Sequence, residues 1–237
     1  MLHIAVLFVF LLVLPSGKPA GTREVKIEVK PAFGNKDLVL EKEKYVTTQG
    51  DTVTVSRLRF YLSGFRLVFN NGQVYQEPNS YHLVDAAELE SLSISLKNVP
   101  EGKITKLVFN IGVDSAASVS GALDGDLDPA KGMYWAWNSG YINAKLEGKS
   151  NQCKTVSNEF EFHVGGYLSP YYSIREVTLE LKPDQLKEKE NANLKLISDA
   201  GAWFNQVQLA KNSNVVMPGP EAMAMADRYR HMFKLAE

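Results

Sequence analysis

The chain has one cysteine, Cys153, in 237 residues. That excludes an internal disulfide framework and any metal site built from several thiolates, leaving a buried thiol or an intermolecular bridge. Histidine is nearly as scarce, with four in all, so general bases and imidazole ligands are few. An excess of one charge is missing too. The formal net charge is −1, and Lys and Arg gather on no segment, so the basic stripe of a nucleic-acid surface is absent. No G-x-S-x-G elbow, H-E-x-x-H pair or glycine-rich phosphate loop is present, which removes the commonest hydrolase, metalloprotease and nucleotide-binding signatures. The apolar run Ile4–Leu14 is too short to span a bilayer, but it suits a signal-peptide core, and small residues follow it up to Ala20. We therefore expect a leader over residues 1–20 and an exported chain, periplasmic or secreted, with no membrane span once the leader is removed.

What is present is alternation. Val25, Ile27 and Val29 share one side of REVKIEVK, and TVTVSRLRFYL, YHLVD, SLSISL, KITKLVFNIGV, EFEFHVGG, IREVTLELK and ANLKLIS repeat the period of two. Turn residues such as Asn70-Asn71-Gly72 separate them. The pattern predicts an all-β fold, an antiparallel β-sandwich, over a single domain of residues 21–237. Only the tail changes period. Pro220 and Glu221 open a helix, and Ala222, Met225, Ala226, Tyr229, Met232 and Phe233 fall on one stripe, so a short C-terminal helix should pack on the sandwich. His231 falls opposite that stripe. The charged LKPDQLKEKENAN reads as a solvated loop or short helix.

Three groups of residues could carry chemistry. Asp124, Asp126 and Asp128 form D-x-D-x-D, the start of a calcium loop, but the sixth and twelfth positions hold Pro129 and Trp135 rather than Gly and Glu. An EF-hand is excluded, which leaves a looser calcium site or a turn stabilised by Asx hydrogen bonds. His82 lies in YHLVD. His163 lies in EFEFHVGG, opposite Phe160, Phe162 and Val164 and on the side of Glu159 and Glu161. Brought together, two imidazoles would suit copper or zinc. The stretch GMYWAWNSGYINAKLEG is the third. If extended, it sends Met133, Trp135, Trp137 and Tyr141 to one side, as core plugs or as a functional face.

At these residues the chain resembles a known family. LDGDLDPAKGMYWAWNSGYINAKLEG, with VFNIGVDS before it and FEFHVGG after it, is similar to the MbnP-like copper-binding domain family. VSRLRFYLSGFRLVFNNGQVY and YHLVD match the family's first half, and GP…MADRYRHMF its closing helix. The resemblance implies an exported copper-binding protein rather than an enzyme, paired with a di-haem peroxidase-like c-type cytochrome. It also implies a copper site made from histidines and a kynurenine produced by oxidising a tryptophan. Trp135 and Trp137 are then the candidates for modification, with Trp135 favoured. His163 is the first imidazole ligand, His82 a second, and Met133 a thioether. Some relatives have histidine where this chain has Trp137, and the family favours an apolar residue at Asn143. The rival expectation is a non-enzymatic sandwich that binds carbohydrate or protein through the aromatic face, stabilised by calcium at Asp124, Asp126 and Asp128.

Overall fold

A computed structural model describes residues 21–236, apart from 122, 139 and 184. The expected leader lies outside the described residues. In chain order the principal strands are β1 (Thr22–Phe33), β2 (Thr52–Phe69), β3 (Tyr81–Asp85), β4 (Ser93–Pro100), β5 (Ile104–Ile111), β6 (Tyr134–Trp135), β7 (Gly140–Lys149), β8 (Glu159–Gly165), β9 (Arg175–Glu180), β10 (Ala192–Asp199) and β11 (Phe233–Leu235). Helix α1 (Ser115–Val119) follows β5, and α2 (Pro220–Tyr229) precedes β11.

The fold is all-β and a sandwich, as the alternation predicts. In the first sheet, β1 lies between β10 and β4, and β11 borders β10. Val25, Ile27 and Val29 of β1 turn inward with Leu194 and Leu196 of β10. The second sheet runs β9–β5–β2–β7–β8, with β3 also paired to β2. Its inner face supplies Val53, Val55, Leu58, Phe60, Ala144, Leu146, Phe162 and Val164 to the same core.

The sheets are mixed rather than purely antiparallel. β1 pairs with β10 in parallel, from Val25 opposite Ala192 to Ala32 opposite Asp199. Alternation specifies which face of a strand is buried, but it carries no information about the direction of the partner, which is set by the long connection through the second sheet.

Helix α2 buries Ala222, Met225, Ala226 and Tyr229. It is shorter than its apolar stripe: Phe233 already belongs to β11, which pairs with β10. His231 is exposed. The third tryptophan, Trp203, is fully buried beside α2, with its ring centroid 4.9 Å from that of Tyr229 and its indole N–H donating to Met232 Sδ at 3.4 Å. Cys153 is a buried free thiol, which burial pushes above the ordinary thiol range. Residues 185–191 run as a loop, pinned where the Arg23 guanidinium donates to the carbonyls of Lys187 and Glu190. Among the described residues no helix is long and apolar enough to cross a membrane.

Candidate metal site on the outer sheet face

The outward face of the second sheet carries an apolar cluster of its own. Tyr61, Leu83, Met133, Trp135, Tyr141 and Ile142 bury one another there, beneath the long excursion between β5 and β7. Hydrogen bonds to backbone fasten that excursion. Tyr61 Oη donates to the Asp126 carbonyl at 3.0 Å, and Tyr141 Oη to the Leu127 carbonyl at 2.8 Å. Arg59 Nη1 donates to the Lys131 carbonyl at 3.0 Å, and Lys145 Nζ to the Gly132 carbonyl at 2.8 Å. Two cations rooted in the sheet thus hold successive carbonyls just ahead of Met133. Burial pulls the Lys145 ammonium below the ordinary lysine range, and Glu147 opposes that effect.

The acidic run serves this architecture. Asp126 accepts from the Leu83 N–H at 3.0 Å and from Lys131 Nζ at 2.7 Å. Asp128 accepts from the Ala130 N–H at 2.8 Å, the Asx arrangement of a turn. Among the described residues no group of three or more His, Cys, Asp or Glu side chains gathers to hold a metal ion, and Asp124, Asp126 and Asp128 are no exception.

The tryptophan stretch is a tight hairpin rather than one extended strand. Only Tyr134 and Trp135 pair with β7, opposite Tyr141 and Gly140, and the Asn138 N–H closes a turn on the Trp135 carbonyl at 3.2 Å. The expected common side of Met133, Trp135, Trp137 and Tyr141 therefore breaks at the turn. Met133 and Tyr141 are buried, Trp135 is 6% exposed, and Trp137, at the turn, is 65% exposed. The two indoles still touch, with centroids 5.6 Å apart.

The Trp135 ring lies over the strand that carries His163. A Cβ placed on Gly165 would meet the Trp135 ring at 2.6 Å, so this ring lies directly on the backbone of β8. His163 is two residues earlier on the same strand and the same face. His163 Nε2 lies 2.8 Å from Glu147 Oε1, and Arg57 Nη1 lies 3.0 Å from Glu147 Oε2. The hydrogen bond with His163 is the main reason the Glu147 carboxyl sits below its usual range, with Arg57 adding to it. None of Gly165, Glu147 or Arg57 stood out in the sequence reading. The alternating charges of NAKLEGK were the available signal, since they place Lys145 and Glu147 on one face.

His82 goes elsewhere. Its cross-strand neighbour is Leu62, a core residue, whereas His163 aligns with Lys145 and Arg59 on the outer face. The two imidazoles therefore occupy opposite faces of the sheet. His82 Nε2 lies 2.8 Å from Glu77 Oε2, and its ring packs edge-on against Phe65.

The model of the MbnP family matches residues 22–218. The chain belongs to the MbnP family. Its structure is similar to that of MbnP from Methylosinus trichosporium, with a TM-score of 0.61 over 80% of each chain at 14% sequence identity. At that identity the likeness shows the MbnP fold. No curated protein matches the chain. The Asn143 side chain is buried, accepting from the Val113 N–H at 2.9 Å and donating to Ser173 Oγ at 2.9 Å.

Proposed function

We propose that this MbnP-family protein is exported and binds copper on the outer sheet face, through His163 and an oxidised Trp135, without turning over a substrate. The observation carrying this reading is the contact of the Trp135 ring with Gly165, two residues from His163 on the same face of β8. An intact indole nitrogen commits its lone pair to the ring and is a poor ligand. Opening of the ring to kynurenine yields an aryl amine, a donor suited to a borderline ion such as copper. Met133 shares the apolar cluster with Trp135 and offers a thioether. The donor chemistry fits copper with a single imidazole, since His82 lies on the other face. The oxidant in this reading is a di-haem peroxidase-like cytochrome, and the exposed Trp137 marks where it would approach.

A second reading, an interaction module, draws on exposed Trp137, Leu168, Tyr172 and Met217. Copper content and peptide mass of protein purified from its native host separate the two. The copper reading expects stoichiometric copper and a mass gain on the peptide containing Trp135. A copper-free protein with both indoles intact would reject it.

A further inference from the structure

We propose that Glu147, braced by Arg57, is a positioning residue that keeps the His163 hydrogen on Nε2, so that Nδ1 is the nitrogen offered to a metal ion. The inference rests on reading His163 as a ligand, and it names the atom and the device that selects it.

A carboxylate has only lone pairs to offer. With Nε2 at 2.8 Å from Glu147 Oε1, that nitrogen carries a hydrogen. A neutral imidazole has one N–H, so its free lone pair belongs to Nδ1. Glu147 is itself fixed. Arg57 occupies its second oxygen at 3.0 Å, and the register aligns Arg57, Glu147 and Glu161 across β2, β7 and β8. Three adjacent strands thus hold the array, on a face where the Glu147 and His163 side chains are both mostly shielded from water.

The register also separates the roles. Glu147 lies opposite Glu161, on one side of His163 along β8. Trp135 covers Gly165, on the other side. His163 therefore stands between a carboxylate that orients it and the ring that would supply the second donor. The His82–Glu77 pair is an internal contrast. It has the same 2.8 Å contact, but the second partner of Glu77 is the Ser80 hydroxyl rather than a guanidinium, and no indole adjoins it.

The test combines nitrogen-15 NMR of the imidazole in the metal-free protein with copper-ion competition binding, for wild type, Glu147→Gln, Glu147→Ala and Arg57→Gln. Wild type should show His163 hydrogenated at Nε2. Glu147→Ala should lose that preference and bind copper about 10- to 100-fold more weakly. Glu147→Gln should keep most of both, because its carbonyl accepts the same hydrogen, and Arg57→Gln should fall between. A wild-type hydrogen on Nδ1, or a Glu147→Ala protein with wild-type tautomer and affinity, would overturn the proposal. So would Glu147→Gln falling as far as Glu147→Ala, which makes Glu147 a ligand itself. If His163→Ala binds copper as wild type does, the copper reading fails, while the metal-free tautomer measurement still decides this one.

Discussion

The Trp135 indole rests on Gly165, where a Cβ would stand 2.6 Å from the ring and 2.6 Å from the Tyr141 carbonyl. This contact seats the aromatic hairpin on β8, two residues from His163. Neither obstacle is the free end of a flexible side chain, so the site has no cheap way to accommodate a methyl group.

Gly165→Ala should therefore destabilise the protein by about 1–3 kcal/mol, the usual cost of overpacking. Urea unfolding followed by tryptophan fluorescence measures the loss and reports any displacement of Trp135. An unchanged midpoint and spectrum would show that the hairpin does not sit on β8.

Substitution should cost far more at Trp135 than at Trp137. Trp135→Ala removes a ring that is 6% exposed and should cost about 3–5 kcal/mol. Trp137→Phe alters a ring that is 65% exposed and should stay within about 0.5 kcal/mol of wild type. Acrylamide quenching checks the assignment: Trp137→Phe should remove most of the quenchable emission.

Copper binding should depend on one histidine. His163→Ala is expected to abolish stoichiometric copper, and His82→Ala to leave it intact, because His82 lies on the core side of the sheet beside Phe65. Metal analysis of the two variants from the native host decides it. Equal loss in both would mean that the bound form brings the imidazoles together by a rearrangement of β3.

Stability should decline at high pH through the buried tyrosines. Burial raises Tyr229 and Tyr61 well above the ordinary phenol range, and Tyr141 less far. Their contribution is complete below pH ~10, where tyrosine in the unfolded chain begins to ionise. Above it the unfolded chain releases protons that the folded chain keeps, so stability falls as pH rises. Tyr229→Phe should flatten that decline. At neutral pH it should cost about 1 kcal/mol for the lost hydrogen bond to the Ser173 carbonyl, 3.0 Å in the wild type. Parallel alkaline limbs for the two proteins would contradict this.

The sequence by itself determined the local facts. The alternation of Val25, Ile27 and Val29, and of Phe160, Phe162 and Val164, set which side of each strand is buried, because neighbouring side chains on extended backbone point to opposite faces. The same logic put His163 on the polar side with Glu159 and Glu161, and the 3.6-residue stripe marked Ala222 to Tyr229 as helix. Tertiary structure decided what those faces meet. The parallel pairing of β1 with β10, the separation of His82 from His163 and the seating of Trp135 on Gly165 all depend on register between strands distant in sequence. So does the line from Arg57 through Glu147 to His163, whose members come from three strands. Local dihedral preference fixes the face of a residue. Its neighbour across the sheet is chosen by the packing of the whole chain.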